Sequence, residues 1–396
     1  MVGRGMGMNG ALGVLLGVLL AGQGWAAEPP LQALAAHVGA GQGALATAED
    51  GTVLVAEAAD RAVHPASVTK IATSLALLER LGPEYRFTTR VGTDGTLAGG
   101  VVHGDLLIDG GRDPFLVFEG AFLILRRLHA LGVHTVEGRL RVRGPLLFNW
   151  QPDPTGARLE RALAGHDGEA AWAAVDGTPS LPLAEAALAI RGRASGRESA
   201  PITPLVVHRS PPLLHVVKAL NGYSNNVFHL VSEEIGGPRA VEDIARANVP
   251  EALRPEIVID NAAGAGETNR LSPRAAVALL RALARAMATR GKALTDVLPV
   301  SGIDPGTLQE RLPELRGMVV GKTGTFGSVG ASALAGELRT RRYGVVTFAV
   351  LNHGVPVPAA RARQDAFVRA LAEATGAEPW PYTEAIRPTF TAAQVE

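Results

Sequence analysis

Three short segments of the sequence carry side chains that could perform acyl transfer, and the first is residues 67–70 (SVTK). Residues three apart share a helical face, so the Ser67 hydroxyl and the Lys70 amine can meet at a helix start. A serine becomes nucleophilic when a base takes its proton, and burial or a nearby cation can lower a lysine pKa enough for that role. Backbone N–H groups at the helix start would face a developing oxyanion. Taken alone, however, the segment is better explained by a capping serine and a solvated lysine, because such a short pattern often arises by chance.

The second segment is residues 224–226 (SNN), which lie just before an apolar helical run. A second hydroxyl, here that of Ser224, can relay a proton between two lysines to a departing amine. The Asn226 carboxamide can donate to a substrate carbonyl and hold a lysine in place. By itself this segment is much better explained by an ordinary polar helix cap, since Ser and Asn both favour that position.

The third segment is residues 322–325 (KTGT), which follow an apolar run and are therefore predicted to lie on a strand. Lys322 and Thr323 offer a charge and a hydroxyl to a substrate carboxylate. Gly324 would let a peptide backbone lie close against the strand. The Thr325 N–H could be a second oxyanion donor. A strand end followed by a turn is the competing explanation.

The three segments together are far more specific than any one of them. Their order, Ser-x-x-Lys, then Ser-x-Asn, then Lys-Thr-Gly, is the order found in penicillin-recognising serine enzymes. Only four of the 38 basic residues are lysines, namely Lys70, Lys218, Lys292 and Lys322, and two of these occupy the motif positions. Lysine can do what arginine cannot, which is to lose its proton at moderate pH.

The elements that must position these segments are predicted from hydrophobic periodicity and turn residues. Helix 67–81 has a buried stripe at Ile71, Leu75 and Leu78. Further helices are predicted over 118–131, 183–190, 212–234, 273–290 and 359–374, and strands over 43–46, 52–56, 86–91, 104–109, 138–142, 257–260, 318–322, 331–338 and 344–351. Helices at both ends, with a run of strands late in the chain, predict an α+β sheet covered by helices.

Composition excludes several other classes of protein. The 396 residues exceed one ordinary domain and suggest either two domains or one domain with a large insertion. The net charge is zero, which argues against an electrostatic nucleic-acid binder. The chain has no cysteine and its ten histidines form no H-E-x-x-H pattern, so we expect no disulfide, no metal site and no cofactor.

The N-terminus has the pattern of a secretory signal peptide. Arg4 supplies a positive charge, an apolar stretch runs over 11–21, and small residues precede a cleavage site near Ala26 or Ala27. The apolar run is too short for a bilayer span of about 20 residues. We therefore predict that residues 1–27 are removed and that the mature protein is periplasmic, with peripheral membrane contact left open.

The residues around the three segments resemble the D-Ala-D-Ala carboxypeptidase/endopeptidase family, the class C low-molecular-mass penicillin-binding proteins. The resemblance extends over most of residues 40–355 and is carried by 62–73, 81–89, 104–108, 111–114, 138–140, 208–213, 271–273 and 298–308. It implies a penicillin-binding/β-lactamase-like transpeptidase domain, an antiparallel sheet covered by helices, interrupted by a smaller inserted α+β region. The expected boundaries are 28–91 and 201–377 for the transpeptidase-like domain, 92–200 for the insertion, and 378–396 for a poorly ordered C-terminal tail.

The resemblance also implies a mechanism and a substrate. Ser67 would attack the carbonyl of the penultimate D-alanine of a peptidoglycan stem peptide, with Lys70 as base. Ser224 would pass a proton to the departing amine. Lys322 and Thr323 would bind the terminal carboxylate, Asn226 would hold the acyl side chain, and N–H groups at Ser67 and Thr325 would hold the oxyanion beside Gly324. β-Lactams would mimic the substrate and act as covalent inhibitors.

Two rival functions follow from the same residues, and three features depart from the family pattern. A β-lactamase on this scaffold would need a deacylating glutamate, and Glu242 and Glu267 lie in the right interval without a convincing context. A non-catalytic peptidoglycan-binding protein would be expected to lose motif residues first. The interval from the first to the second motif is short, Asn225 replaces a commoner Asp, and residues 149–158 match the family's substrate-facing segment only loosely.

Overall fold

The computed structural model describes residues 29–176, 181–194, 202–384 and 389–396, so the predicted signal peptide at 1–27 lies outside the described residues. The helices are α1 (Pro29–Gln32), α2 (Lys70–Leu81), α3 (Phe118–Ala130), α4 (Ala157–Leu163), α5 (Glu169–Asp176), α6 (Leu213–Tyr223), α7 (Phe228–Ser232), α8 (Gly237–Ala247), α9 (Pro273–Ala288) and α10 (Val357–Thr375). The strands are β1 (Gly43–Thr47), β2 (Val53–Glu57), β3 (Thr88–Thr93), β4 (Thr96–Ala98), β5 (Val101–His103), β6 (Leu106–Asp109), β7 (Thr135–Val136), β8 (Leu140–Arg143), β9 (Leu147–Phe148), β10 (Gln151–Pro152), β11 (Ala189–Ile190), β12 (Thr203–Arg209), β13 (Val319–Phe326), β14 (Ala331–Thr340), β15 (Gly344–Asn352), β16 (Ala377–Glu378) and β17 (Gln394–Val395).

The larger body is built on an antiparallel sheet with strand order β13-β14-β15-β1-β2, and β16 pairs with the far end of β14. Helix α9 packs on one face of this sheet and α10 on the other. Side chains of β14 therefore alternate between two cores: Ala333 and Ala335 join the core under α9, while Leu334 and Leu338 join the core under α10. The predicted α+β architecture, a sheet covered by helices, is confirmed.

Helix α2 runs through the middle of the larger core. Its predicted stripe at Ile71, Leu75 and Leu78 is buried, and so is every residue from 70 to 78. A short 3-10 turn, Ala66–Thr69, precedes the helix, and Gly82 ends it with φ 83°. Because close-packed interiors tolerate little displacement, this buried helix holds the side chains of the first motif in fixed positions.

A second body has its own hydrophobic core and two small sheets. The larger sheet has strand order β17-β12-β3-β6-β8, the smaller has the order β11-β7-β5-β4, and α3, α4 and α5 cover them. The chain enters the body through β3 and leaves it through β12, and these strands pair with each other. The strands β3 to β12 of this body thus span Thr88 to Arg209, and β17 near the C-terminus joins the same sheet. No local sequence pattern predicts that two strands about 110 residues apart in the chain will pair.

The helix predicted over 183–190 is absent from the described residues 181–194, and this prediction was wrong. Leu183, Ala186 and Leu188 are buried as their apolar character suggests. The backbone, however, bonds to its neighbours instead of to itself: the Leu188 N–H donates to the Leu163 carbonyl at 2.8 Å, and the Ala189 N–H to the His134 carbonyl at 3.1 Å. Tertiary hydrogen bonds have overridden the apolar spacing.

The C-terminal segment is packed against both bodies over residues 378–384 and 389–396, in contrast to the poorly ordered tail expected. The Trp380 indole donates to the Met318 carbonyl at 2.9 Å, and the Tyr382 hydroxyl donates to Asp304 at 2.7 Å. Strand β17 pairs with β12. Partly buried aromatic groups and ladder hydrogen bonds hold a stretch whose composition alone suggested a tail. Within the described ranges, no helix is long and apolar enough to cross a membrane.

Candidate active site

The fold brings the three sequence motifs to one point. Ser67 lies on the turn before α2, Ser224 on the loop between α6 and α7, and Lys322 on the edge strand β13. The Lys70 Nζ lies 2.7 Å from the Ser67 Oγ and donates to the Asn226 Oδ1 at 3.3 Å. The Lys322 Nζ lies 2.9 Å from the Ser224 Oγ. Two serine–lysine pairs therefore stand side by side.

Lys70 is fully buried, and this burial lowers its pKa to about 7. Its amine contacts the Ser67 hydroxyl, the Asn226 carboxamide and the Ala263 carbonyl, the last at 2.6 Å. In the described part of the chain no carboxylate pairs with this amine. A large fraction is therefore neutral near pH 7, and a neutral amine 2.7 Å from a hydroxyl can accept its proton.

Lys322 is also fully buried, and burial together with the positive charge of Lys70 lowers its pKa well below the usual value. Besides lying next to Ser224, its amine donates to the Thr323 carbonyl at 2.8 Å. Two amines in one buried site disfavour each other's charge. The pair can therefore exchange a proton through Ser224 without a large change in total charge.

The geometry of β13 directs the Thr325 N–H away from the neighbouring strand β14. The N–H groups of Val319 and Gly321 bond away from β14, to the Ser301 hydroxyl at 3.2 Å and the Pro299 carbonyl at 3.0 Å. In an antiparallel ladder the outward-facing residues alternate, so the Thr325 N–H also points away from β14.

Gly324 brings this strand unusually close to Ser67. A Cβ added at Gly324 would lie 2.9 Å from the Ser67 nitrogen and 2.9 Å from the Pro65 carbonyl oxygen. Only glycine fits there without displacing the turn. The Ser67 and Thr325 N–H groups therefore flank one small space, which is the arrangement of an oxyanion hole.

His64 secures the strained turn that carries Ser67, and sequence reasoning gave it no role. Ala66 has φ 47°, which is unusual for a residue with a Cβ. Its N–H donates to the His64 Nδ1 at 3.1 Å, so the ring proton sits on Nε2, which donates to the Gly266 carbonyl at 2.8 Å. The ring stacks on Phe326 with centroids 4.6 Å apart, and burial lowers the His64 pKa. The neutral imidazole of His64 thus connects the turn that carries Ser67 to strand β13.

The loop carrying Ser224 is held by polar contacts at each end. Ser224 itself has φ 54°, in the left-handed region. The Asn225 side chain accepts from the Val227 N–H at 2.9 Å, which is an Asx turn that the commoner Asp would also form. Buried Asn221 donates to Ser74 on α2 at 3.0 Å and thereby links the loop to the nucleophile helix.

Both threonines of the third motif contact residues that the motif search did not single out. The Thr323 and Thr307 hydroxyls lie 2.7 Å apart, and the Arg361 guanidinium donates to the Thr325 hydroxyl at 3.0 Å. The loop of Thr307 is anchored by Lys218, whose amine donates to Asp304 at 2.6 Å. A third lysine of the chain is therefore structural.

A cleft of about 1300 Å³ opens beside the second motif, between the two bodies. Tyr223, the residue before Ser224, is 54% exposed, and its ring lies 6.2 Å from that of Trp150 in the inserted body. Asn149 and Trp150 line the cleft, whereas Asp153 is buried and caps α4. Only the first two residues of the loosely matching segment 149–158 therefore line this cleft.

The fold and the site define a serine acyl-transferase of the penicillin-binding class, in which an active-site helix, a polar loop and an edge strand surround one nucleophile. A family model described as the D-Ala-D-Ala carboxypeptidase 3 (S13) family matches residues 32–146 and 190–374. The chain belongs to this family of serine-type carboxypeptidases and endopeptidases.

Solved structures share this fold at low sequence identity. Two predatory endopeptidases of Bdellovibrio bacteriovorus, Bd0816 in complex with the immunity protein Bd3460 and Bd3459 acylated by penicillin G, are each 21% identical. The first match covers 89% of this chain and 99% of that chain with a TM-score of 0.74, and the second covers 87% and 96% with 0.73. Penicillin-binding protein 4 of Haemophilus influenzae is 16% identical over 87% of this chain and 98% of that chain, with a TM-score of 0.63.

Proposed function

We propose that the mature protein is a periplasmic serine D-Ala-D-Ala carboxypeptidase that trims peptidoglycan stem peptides through an acyl-enzyme on Ser67. The observation that carries the proposal is the contact of 2.7 Å between the Ser67 hydroxyl and the buried, carboxylate-free amine of Lys70. Family membership supports the reaction class, and the signal-peptide pattern supports export.

Acylation begins when the Ser67 oxygen attacks the carbonyl carbon of the penultimate D-alanine while its proton passes to Lys70. The Ser67 and Thr325 N–H groups hold the resulting oxyanion, which is where preorganised donors contribute most to rate. As the C–N bond breaks, Ser224, bonded to Lys322, donates its proton to the departing D-alanine nitrogen. The Lys70 ammonium returns the proton taken from Ser67 to Ser224, which leaves Lys70 neutral for the next step. The Ser67–Lys70 and Ser224–Lys322 contacts exist before substrate binds.

Deacylation requires water to attack the same ester, with Lys70 again placed to accept a proton. In a β-lactam adduct the departing nitrogen stays tethered to the acyl group, so it cannot diffuse away and the adduct persists. Of the two glutamates of the β-lactamase alternative, Glu242 accepts the Ile259 N–H at 2.6 Å and pairs with Arg246, while Glu267 is exposed. Neither contact involves the nucleophile, which favours a slowly hydrolysed adduct.

Endopeptidase action on peptide cross-links is a second candidate activity, and the cleft between the two bodies favours it. The cleft, of about 1300 Å³, is lined by Tyr223, the residue before Ser224, and by Trp150 of the inserted body, although no residue of the three motifs lines it. It therefore offers a surface next to the motifs on which a larger substrate could extend. The similar Bdellovibrio proteins are named as endopeptidases, one of them acylated by penicillin G. The same acyl-enzyme would serve both activities, which differ only in the amine that leaves.

The test is intact-mass analysis of the mature protein after incubation with benzylpenicillin, beside a Ser67→Ala variant. We expect a persistent one-to-one adduct that the variant lacks. Consumption of benzylpenicillin without a lasting adduct would instead indicate a β-lactamase, and intact benzylpenicillin with unmodified protein would favour the non-catalytic alternative. Muropeptide analysis of digested sacculi then compares release of D-alanine with cleavage of cross-links.

A further inference from the structure

Arg361 lies beside the active site although it belongs to none of the three motifs. It is an exposed residue near the start of α10, and its guanidinium donates to the Thr325 hydroxyl at 3.0 Å. Thr325 directly follows Gly324, which approaches the Ser67 nitrogen. The C-terminal helix therefore places a cation at the open end of the edge strand.

The charge of Arg361 is not neutralised by the protein. Among the residues that the structure describes, no carboxylate forms an ion pair with it. Arg369, on the same helix, is paired with Glu314, and Arg311 is paired with Asp365 of that helix. A guanidinium keeps its charge at every physiological pH and has five donors, of which the threonine uses one. The remaining donors can bind an anion.

The two lysines of the site are poorly placed to supply that charge. Lys322 is fully buried and already contacts the Ser224 hydroxyl and the Thr323 carbonyl. Burial and the positive charge of Lys70 also lower the pKa of Lys322 well below its usual value. Thr325 and Arg361 are exposed whereas Lys322 is buried, so an anion that approaches from solvent meets the guanidinium before the lysine amine.

We propose that Arg361 is a specificity-determining residue, whose guanidinium binds the free carboxylate next to the scissile amide on the leaving-group side. This inference rests on the proposed function, because it assigns to Arg361 the carboxylate that Lys322 and Thr323 were expected to bind. Arginine suits the role because its planar fork matches the two oxygens of a carboxylate. A terminal D-alanine carries such a carboxylate, and so does any cross-linking amine with a neighbouring free acid.

The matched probes for this inference are benzylpenicillin, which has a carboxylate, and its methyl ester, which does not. Rates of Ser67 acylation by both probes are measured by intact mass for the wild type, Arg361→Ala and Arg361→Lys. Arg363→Ala is the control, because Arg363 is exposed on the same helix and its guanidinium lies against Gly39 instead.

We expect Arg361→Ala to lower acylation by benzylpenicillin about 10- to 100-fold, which is the worth of a hydrogen-bonded charge pair, and acylation by the ester about twofold or less. Arg361→Lys should fall between, and Arg363→Ala should match the wild type. Equal losses with both probes, or no loss with benzylpenicillin, would overturn the role of Arg361. A wild type that forms no Ser67 adduct would overturn the proposed function as well, so the two failures are distinct.

Discussion

Both bodies of the molecule pair charges near the surface, but among the described residues only the larger body buries lysines that have no carboxylate partner. In the inserted body, acidic and basic side chains pair at the surface, as Asp105 does with Arg141 and Asp109 with Arg143. In the larger body, Lys70 and Lys322 are buried without a carboxylate. Unpaired buried charge costs stability, so its presence marks the place where chemistry needs a lysine with a low pKa. We therefore expect the larger body to carry the reaction.

The substitution Lys70→Arg tests most directly whether the buried lysine is needed for its low pKa. It keeps the positive charge and removes the ability to lose a proton. We expect acylation by benzylpenicillin to fall about 10²- to 10⁴-fold, the usual contribution of general acid–base catalysis. Lys70→Met should lose as much, since both variants lack a titratable amine. If Lys70→Arg kept substantial activity, the charge of Lys70 and not its basicity would be the functional property.

The pH dependence of acylation checks the same point in the unmodified protein. Only the neutral amine of Lys70 can accept the serine proton, and its pKa is lowered to about 7. The rate should therefore rise with pH, reach half its limit near pH 7, and fall about tenfold per unit below that. The measurement is stopped-flow acylation between about pH 5 and about pH 9, a range in which an ordinary lysine stays charged.

The substitution Gly324→Ala should disturb the alignment of the Ser67 and Thr325 N–H groups while leaving Lys70 and Lys322 in place. The new methyl group would lie 2.9 Å from the Ser67 nitrogen, so the strand or the turn must move. Loss of one donor's alignment is expected to slow acylation about 10²- to 10³-fold. Gly327→Ala is the matched control, because a Cβ there meets no heavy atom within 4 Å, and its acylation rate should equal that of the wild type. Equal rates for the two variants would exclude the proposed hole.

The smallest effect tests the inserted body. Trp150→Ala removes the aromatic wall that faces Tyr223, so the KM for a stem peptide should rise about 3- to 10-fold through lost apolar contact. Acylation by benzylpenicillin, which is too small to fill the cleft, should change about twofold or less. Leu97→Ala, an exposed apolar position on β4, is the control. A loss with benzylpenicillin as large as that with the peptide would mean that the inserted body also positions the nucleophile.

The sequence predicts those features that depend on residues close together in the chain, and it does not predict those that depend on contacts between distant segments. Ser67 and Lys70 lie three residues apart on one face, and the stripe of α2 is periodic, so local geometry was enough. Contacts such as Arg361 to Thr325 join elements that only the finished fold brings together. The same holds for the β3–β12 pairing and for the strand at the C-terminus, whose partners lie more than 100 residues away. His64 is a different case, because its bond to Ala66 is local but is made only by a turn with positive φ.

The edge position of β13 also bears on how the protein avoids edge-to-edge association with other copies of the chain. An exposed sheet edge can recruit the strand of another chain. Here the loop at 299–301 covers the first half of β13, through bonds to Val319 and Gly321. The part that faces the nucleophile is only a few residues long and ends beside the Ser67 turn. That gap admits a short peptide in extended form, but it is too short for the strand of a folded neighbour. The opening that selects the substrate therefore also keeps the sheet from growing.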